Sequence, residues 1–180
     1  MIKALQFLSD KNQSFSKNYL LVGDNDFLYL FIKNQIVKKS QKKDETFVFD
    51  CVDKSDSFDQ LINVLGSQDL FSSDKLIIVK NINKLNKKNS EFLLYNFDSD
   101  STHQIIYIDN NFLSYDYKSK SNAIKSAVTK EFAKILDVID ISTPFESEMK
   151  HWIHLFACLL YTSDAADDMQ CVDLGGRRII

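Results

Sequence analysis

The fold is decided by Tyr19–Leu28, which reads YLLVGDNDFL. Four consecutive large apolar residues, Tyr19–Val22, are typical of a strand that is buried on both faces of a sheet. Gly23 ends this run, and Asp26 offers an N-cap for an amphipathic helix that continues to about Lys39. The stretch therefore predicts the strand, turn and helix with which an α/β domain begins.

Four more apolar runs follow along the chain and alternate with helical patterns. The predicted strands are Thr46–Asp50, Leu76–Val79, Gln104–Ile108 and Ile135–Ile141. The predicted helices are Ser57–Leu65, which Gly66 ends as a C′ glycine, Ser90–Phe97, Ser121–Val128 and, after Pro144, Glu146–Phe156. Because continuous apolar strands separated by helices indicate βαβ units, we expect an α/β fold with a mostly parallel five-stranded sheet covered by helices.

The composition changes abruptly near residue 158. All 20 lysines lie in residues 1–157, which hold no arginine, whereas residues 158–180 hold both arginines and two of the three cysteines. Cys158–Asp167 back-translates to a string that resembles a transposon end used to prepare sequencing libraries, and Cys171–Ile180 back-translates to the adapter that follows it. We therefore expect residues 158–180 to be a translated sequencing adapter and not a native part of the fold.

The charge and the cysteine content of residues 1–157 limit the classes of function that are possible. They carry 20 lysines and 21 acidic residues, a net charge of −1, which offers no bulk electrostatic reason to bind nucleic acid or a membrane. No stretch approaches the ~20 apolar residues that span a bilayer. A single cysteine in this part, Cys51, fits a reducing cytoplasm. The lysine pairs within 38–43 and the run Lys84–Lys88 are either phosphate contacts or solvated helix ends.

The turn Gly23–Asp26 stands where an α/β nucleotide-binding protein has its phosphate loop. It has one glycine, no Lys-Ser or Lys-Thr pair, and two carboxylates. Acidic side chains at a helix N-terminus compete with a phosphate for the same backbone amides. The sequence therefore predicts no nucleotide-binding residues, no catalytic residues and no cofactor.

Carboxylates at the ends of two predicted strands suggest a metal site as an alternative to a nucleotide site. Asp24 and Asp26 follow the first strand and Asp50 ends the second, so these three could gather around Mg²⁺ as in a phospho-acceptor receiver domain, with Lys80 as the companion cation. The other interpretation is that Asp26 caps a helix and Asp50 is a solvated strand end. A second metal pattern is His151 with His154, three residues apart on a predicted helix, but no third ligand is visible nearby.

An adjacent apolar pair, Leu70-Phe71, stands in the polar segment between the second helix and the third strand. A helical face spaces its apolar residues by three or four, and a half-buried strand alternates them, so the pair fits neither pattern. It has the form of a short plug that enters the hydrophobic pocket of another protein. The alternative is that Leu70 and Phe71 cap the core of their own domain.

Three blocks in order resemble the family of the delta subunit of the bacterial DNA polymerase III clamp loader. Tyr19–Leu28 is similar to the opening of that family, in which an acidic turn followed by Phe-Leu replaces the phosphate loop. Asp69-Leu70-Phe71 with Lys75–Asn81 resembles its second signature, a Leu-Phe pair, a polar gap and a strand running into Asn. Glu148–Ile153 resembles the Trp-Ile helix that opens its second domain.

The resemblance implies a degenerate AAA+/P-loop-like domain without a nucleotide site. Its partner would be the sliding clamp, the ring-shaped beta subunit, whose hydrophobic pocket would receive the segment Ser67, Gln68, Asp69, Leu70 and Phe71. Other clamp-loader subunits would be partners of the full-length protein, and DNA would be reached indirectly through the complex. The chain would then be a non-catalytic part of the DNA-directed DNA polymerase holoenzyme, in the cytoplasm and not at a membrane.

The resemblance also predicts a domain organisation. Residues 1–143 would form the AAA+-like clamp-binding domain, and residues 144–157 would begin a helical second, or lid, domain that is truncated. Residues 158–180 would belong to neither domain, because they are expected to be adapter sequence.

Overall fold

The computed structural model describes residues 1–10, 18–40, 45–52, 56–66, 75–95, 103–111, 113–116 and 121–161. Its strands are β1 (Ile2–Lys3), β2 (Tyr19–Val22), β3 (Glu45–Asp50), β4 (Lys75–Lys80), β5 (Gln104–Asp109), β6 (Ser114–Asp116), β7 (Ser121–Ala123) and β8 (Asp137–Asp140). Its helices are α1 (Ala4–Ser9), α2 (Asp26–Ser40), α3 (Asp56–Gly66), α4 (Lys87–Tyr95), α5 (Ala127–Phe132) and α6 (Met149–Tyr161). Short 3₁₀ turns cover Ile82–Lys84 and Glu146–Glu148.

Six strands form one parallel sheet in the order β1-β8-β2-β5-β4-β3. The predicted α/β fold class is confirmed, but the sheet has six strands and not five. The additional strand is β1, in which Ile2 pairs with Ile139 of β8. Two residues are too few to produce a hydrophobic period, which is why the sequence did not predict this strand.

The predicted helix Ser121–Val128 is wrong in its first part. Residues Ser121–Ala123 form β7, which pairs antiparallel with β6 as a separate two-stranded sheet. Helix α5 begins only after Ser126, whose Oγ accepts a hydrogen bond from the backbone N–H of Thr129 at 3.3 Å. This N-cap marks the true start of the helix, because a capping side chain satisfies amides that the first turn leaves unpaired.

The helices cover both faces of the sheet in two separate groups. On one face, α1, α2 and α6 pack against side chains such as Leu21, Ile106 and Ile139. On the other face, α3, α4 and α5 pack against alternate residues of the same strands, such as Leu20 and Tyr107. Burial on both faces explains why the strands are continuously apolar. Within the described residues, none of the helices has the length and apolar character needed to span a membrane.

All six strands of the sheet run in the same direction, so their ends meet at two opposite edges. The turn after β2 lies at the carboxyl-terminal edge, between the ends of the neighbouring strands β5 and β8. Helix α3 ends, and β4 begins, at the amino-terminal edge. The Gly23–Asp26 turn therefore lies at one edge of the sheet. The end of α3 and the start of β4, which flank the Leu70-Phe71 segment in sequence, lie at the opposite edge.

Candidate functional site

The residues predicted to bind the clamp lie outside the part of the chain that the structure describes: Ser67, Gln68, Asp69, Leu70 and Phe71. The described elements on either side are α3, which ends at Gly66, and β4, which begins at Lys75. What the structure gives for this site is therefore the position and environment of its two attachment points.

Strand β4 begins at a buried lysine. The side chain of Lys75 is only 4% exposed, and its Nζ lies 5.8 Å from the ring centroid of Phe47 on β3. An ammonium group at this distance from an aromatic ring is attracted to the π-electrons. Strand β4, which follows the Leu70-Phe71 segment in sequence, thus begins at a lysine that packs against Phe47 of the neighbouring strand β3.

At the opposite edge, the first turn packs directly against the neighbouring strand ends. The backbone N–H of Gly23 donates to the carbonyl of Asp109 at 3.1 Å, and the N–H of Asn25 donates to the carbonyl of Ile141 at 3.2 Å. A phosphate site at a helix N-terminus needs amides that point at the ligand. Two amides of this turn point instead at the protein's own strands.

The side chains of the turn are also used within the fold. Asn25, and not Asp26, caps α2, because its Oδ1 accepts a hydrogen bond from the N–H of Leu28 at 3.0 Å. The prediction that Asp26 is the N-cap is wrong, since Asp26 is the first residue of the helix itself. The Asp24 carboxylate accepts hydrogen bonds from the backbone N–H and the Oγ1 of Thr143, each at 3.2 Å. Asp24 thus ties the turn to the segment that leads to α6.

The strand order keeps Asp50 away from the two carboxylates of the first turn. Strand β3 lies at the edge of the sheet, separated from β2 by β4 and β5. With neighbouring strands about 4.8 Å apart, the ends of β2 and β3 are separated by about 14 Å. Asp50 instead accepts hydrogen bonds from Asn81 Nδ2 at 2.8 Å and from the N–H of Val52 at 3.0 Å. The topology therefore does not bring Asp50 together with Asp24 and Asp26 around one ion.

The other residues considered for a metal site do not complete one within the described residues. Lys80, the suggested companion cation, has its Nζ 5.4 Å from the ring centroid of Tyr29. His151 and His154 are both exposed on α6. In the part of the chain that the structure describes, no three side chains of His, Cys, Asp or Glu are grouped to hold a metal ion.

Cys51, the residue that follows β3, is partly buried. Burial, followed by the nearby charge of Asp50, raises the pKa of Cys51 from 9.0 to about 12. A thiolate is the nucleophilic form of cysteine. Cys51 packs against the hydrophobic cluster on this face of the sheet, and its raised pKa disfavours the nucleophilic thiolate form at neutral pH.

An aromatic cluster between α2 and α6 was not singled out from the sequence; its members are Phe27, Phe31, Trp152 and Phe156. The ring centroid of Phe156 lies 5.2 Å from that of Phe31, 5.5 Å from that of Phe27 and 5.7 Å from that of Trp152. Trp152 is buried, so it anchors α6 to the domain, whereas Phe27 remains exposed. The signal was present, because both helices repeat an aromatic residue at the i, i+4 spacing that places side chains on one face.

Comparisons with known proteins bear on the region that includes these elements. The family described as DNA polymerase III, delta subunit, matches residues 19–99. No curated protein matches the sequence. Among solved structures, the crystal structure of Saccharomyces cerevisiae RIF2 is similar at 9% identity and a TM-score of 0.43, covering 88% of this chain and 69% of that chain, a likeness too distant to carry an argument. The family match over β2 to α4 shows that this chain contains a DNA polymerase III delta subunit-like domain.

Proposed function

We propose that this chain is the clamp-loader subunit that binds the sliding clamp and opens it for loading on DNA. The observation that carries the proposal is the match to the delta subunit family over residues 19–99, because that range contains both the degenerate turn and Leu70-Phe71. Clamp loading in DNA replication is the process in which that family acts.

The proposed contact is the insertion of Leu70 and Phe71 into a hydrophobic pocket of the clamp, flanked by Ser67, Gln68 and Asp69. Burying one Leu and one Phe side chain contributes roughly 3–6 kcal/mol gross, before the costs of association are subtracted. That is sufficient for a transient interaction. To open the ring, the subunit must bind the open clamp more tightly than the closed one, since only differential affinity shifts a conformational equilibrium.

In this proposal the chain does not hydrolyse ATP. Support comes from the turn after β2, where the amide of Gly23 donates to the carbonyl of Asp109 at the end of β5 and the amide of Asn25 donates to the carbonyl of Ile141, directly after β8. Other subunits of the loader would supply ATP hydrolysis, and DNA would be held by the complex in the cytoplasm. The chain would belong to the polymerase holoenzyme without carrying out nucleotidyl transfer itself.

The domain organisation is part of the same proposal. Residues 1–143 would be the clamp-binding domain, 144–157 the start of a second helical domain, and 158–180 adapter sequence. Amplification of the source locus across the codon of Ala157 tests the last assignment. Native DNA that continues in frame into Leu159 and Leu160 would contradict it.

Clamp opening is tested by release of the clamp from DNA. A labelled sliding clamp from the same source is loaded on closed circular DNA, and its dissociation is followed after adding the full chain. We expect faster dissociation, and no acceleration by Leu70→Ala/Phe71→Ala. The matched control is Leu30→Ala/Phe27→Ala, the same residue types on the surface of α2, where the two side chains are 49% and 59% exposed. Equal acceleration by all variants, or none by the unmutated chain, would contradict the proposal.

A further inference from the structure

The turn after β2 carries an anion of its own, the carboxylate of Asp24. Its Oδ1 accepts a hydrogen bond from the backbone N–H of Thr143, and its Oδ2 accepts one from the Oγ1 of Thr143, each at 3.2 Å. A backbone amide and a hydroxyl are also the donors that proteins direct at a phosphate oxygen. Asp24 therefore makes, from within the chain, the kind of contact that a bound phosphate would make.

Thr143 belongs to a connector between β8 and α6 that is held at several further points. Ser142 donates to Asp140 Oδ1 from its backbone N–H at 2.9 Å and from its Oγ at 2.5 Å. The ring of Pro144 fixes its own φ. Glu148 donates its N–H to the carbonyl of Phe145 at 2.8 Å, and its Oε2 accepts from the N–H of Phe145 at 3.3 Å. A connector held in this way has few conformations, so a bond near its middle also fixes the direction in which α6 starts.

Helix α6 docks on the sheet through a buried tryptophan. Trp152 is 5% exposed and belongs to the same hydrophobic cluster as Leu21 and Ile139. An ion pair between Lys3 and Glu148 lies at the start of α6, but these side chains are 60% and 29% exposed, so solvent screens the pair and it contributes little. The docking of α6 therefore depends on the packing of Trp152 and on the direction that the connector imposes.

We propose that Asp24 is a positioning residue whose carboxylate holds α6 against the sheet, at the turn where a nucleotide-binding domain has its phosphate, so that this joint stays closed without ATP. A bound phosphate is an exchangeable ligand, and its arrival or release can shift a conformational equilibrium. A carboxylate that belongs to the chain cannot dissociate, so the joint keeps one setting. The proposal goes beyond clamp binding, because it gives the Gly23–Asp26 turn a task that does not involve Leu70 or Phe71.

The experiment measures amide hydrogen exchange of the full chain by mass spectrometry, because exchange reports local opening even when the open state is rare. The peptides compared are those from α6, residues 149–157, and those from the central strand β5. We expect Asp24→Ala to accelerate exchange in α6 by about fivefold or more and exchange in β5 by less, since the lost bonds hold α6 and not the whole fold. The matched control is Asp26→Ala, which removes the same charge from the first residue of α2 and should leave α6 within about twofold of the unmutated chain.

A double-mutant cycle assigns the effect to the bond with Thr143. Thr143→Val removes the hydroxyl donor and keeps the backbone N–H, so it should accelerate exchange in α6 less than Asp24→Ala does. Asp24→Ala/Thr143→Val should exchange no faster in α6 than Asp24→Ala alone, because both changes remove the same contact. Thr143→Val also provides the test if Asp24→Ala does not fold, which circular dichroism shows.

The response to nucleotide is measured on the unmutated chain. Trp152 is the only tryptophan of the sequence, so its fluorescence reports on the docking of α6. Adding ATP with Mg²⁺ should change neither the emission of Trp152 nor the exchange of α6. Three outcomes would overturn the proposal: unchanged α6 exchange in a folded Asp24→Ala variant, equal acceleration by Asp24→Ala and Asp26→Ala, or protection of α6 by ATP.

Discussion

The backbone of Gly23 lies in direct contact with the backbone of Ile141. A Cβ placed on Gly23 would be 2.4 Å from the carbonyl carbon of Ile141, and Gly23 has a φ of +147°. The turn after β2 is therefore pressed against the chain that leaves β8. This contact explains in physical terms why the position requires a glycine.

Replacing Gly23 should destabilise the domain strongly. Gly23→Ala forces a side chain into a backbone contact and into a φ region that favours glycine, so we expect a loss of about 2–4 kcal/mol in the free energy of unfolding. Urea denaturation followed by circular dichroism measures the loss. A change below about 0.5 kcal/mol, the range of an ordinary surface substitution, would contradict the packing described for this turn.

The assignment of the N-cap of α2 can be tested by comparing two neighbours. Asn25→Ala removes the side-chain acceptor for the N–H of Leu28 and should cost about 1 kcal/mol of stability. Asp26→Ala should cost less, about 0.3–1 kcal/mol, because Asp26 only interacts with the helix dipole. Thermal or urea unfolding of both variants gives the order of the two losses, and a larger loss for Asp26→Ala would restore Asp26 as the cap.

Asn81 joins the carboxyl ends of the neighbouring strands β4 and β3. It adopts the left-handed conformation, with a φ of 57°, and its Nδ2 donates to Asp50 Oδ1 at 2.8 Å. Asn81→Ala should lose about 1–3 kcal/mol of stability, since both the left-handed preference and a hydrogen bond to a carboxylate disappear. Asn81→Gly is the matched variant, because it keeps the conformational freedom and loses only the hydrogen bond. Equal losses in the two variants would show that the backbone conformation contributes nothing.

The raised pKa of Cys51 predicts that its thiol is alkylated slowly in the folded chain and that the domain loses stability at high pH. Burial raises this pKa from 9.0 to about 12, so the thiolate fraction at pH ~8 should be roughly 1,000-fold lower in the folded chain than in urea. Alkylation of the Cys51 peptide, quantified by mass spectrometry with and without urea, measures the ratio. Similar rates in both conditions would contradict the burial of the thiol.

The same shift fixes the direction of the pH dependence. The unfolded thiol ionises near pH 9.0 and the folded one only near pH 12. The contribution of Cys51 to stability is therefore fully present below about pH 9 and is lost as the pH rises through the folded pKa, because the unfolded state releases its proton first. Cys51→Ala should reduce the fall in stability over this range.

Five of the six strands of the main sheet were predicted because each contains a short run rich in apolar residues. The run Tyr19–Val22 coincides with β2, and the predicted Leu76–Val79 lies within β4. Prediction from the sequence failed for strands that form only through pairing with a strand distant in the chain or across a turn. Ile2-Lys3 becomes a strand only by pairing with β8, and Ser121–Ala123 only by pairing with β6, so neither carries a local signal.

The features of the candidate sites also divide into those that residue types predict and those that depend on the three-dimensional structure. That the Gly23–Asp26 turn departs from a phosphate loop was readable from residue types alone, because that loop requires several residues at fixed spacing. Which residue caps α2, and that Asp50 binds Asn81, depends on backbone geometry and strand order.

The most direct test of the clamp-loader account is the affinity of the full chain for the sliding clamp of the same source, measured beside Leu70→Ala/Phe71→Ala and the surface control Leu30→Ala/Phe27→Ala. The account predicts that the unmutated chain and the control bind, and that the Leu70-Phe71 variant loses binding while its circular dichroism spectrum is unchanged. A folded, unmutated chain that does not bind the clamp, or a Leu70-Phe71 variant that binds as well as the control, would contradict it.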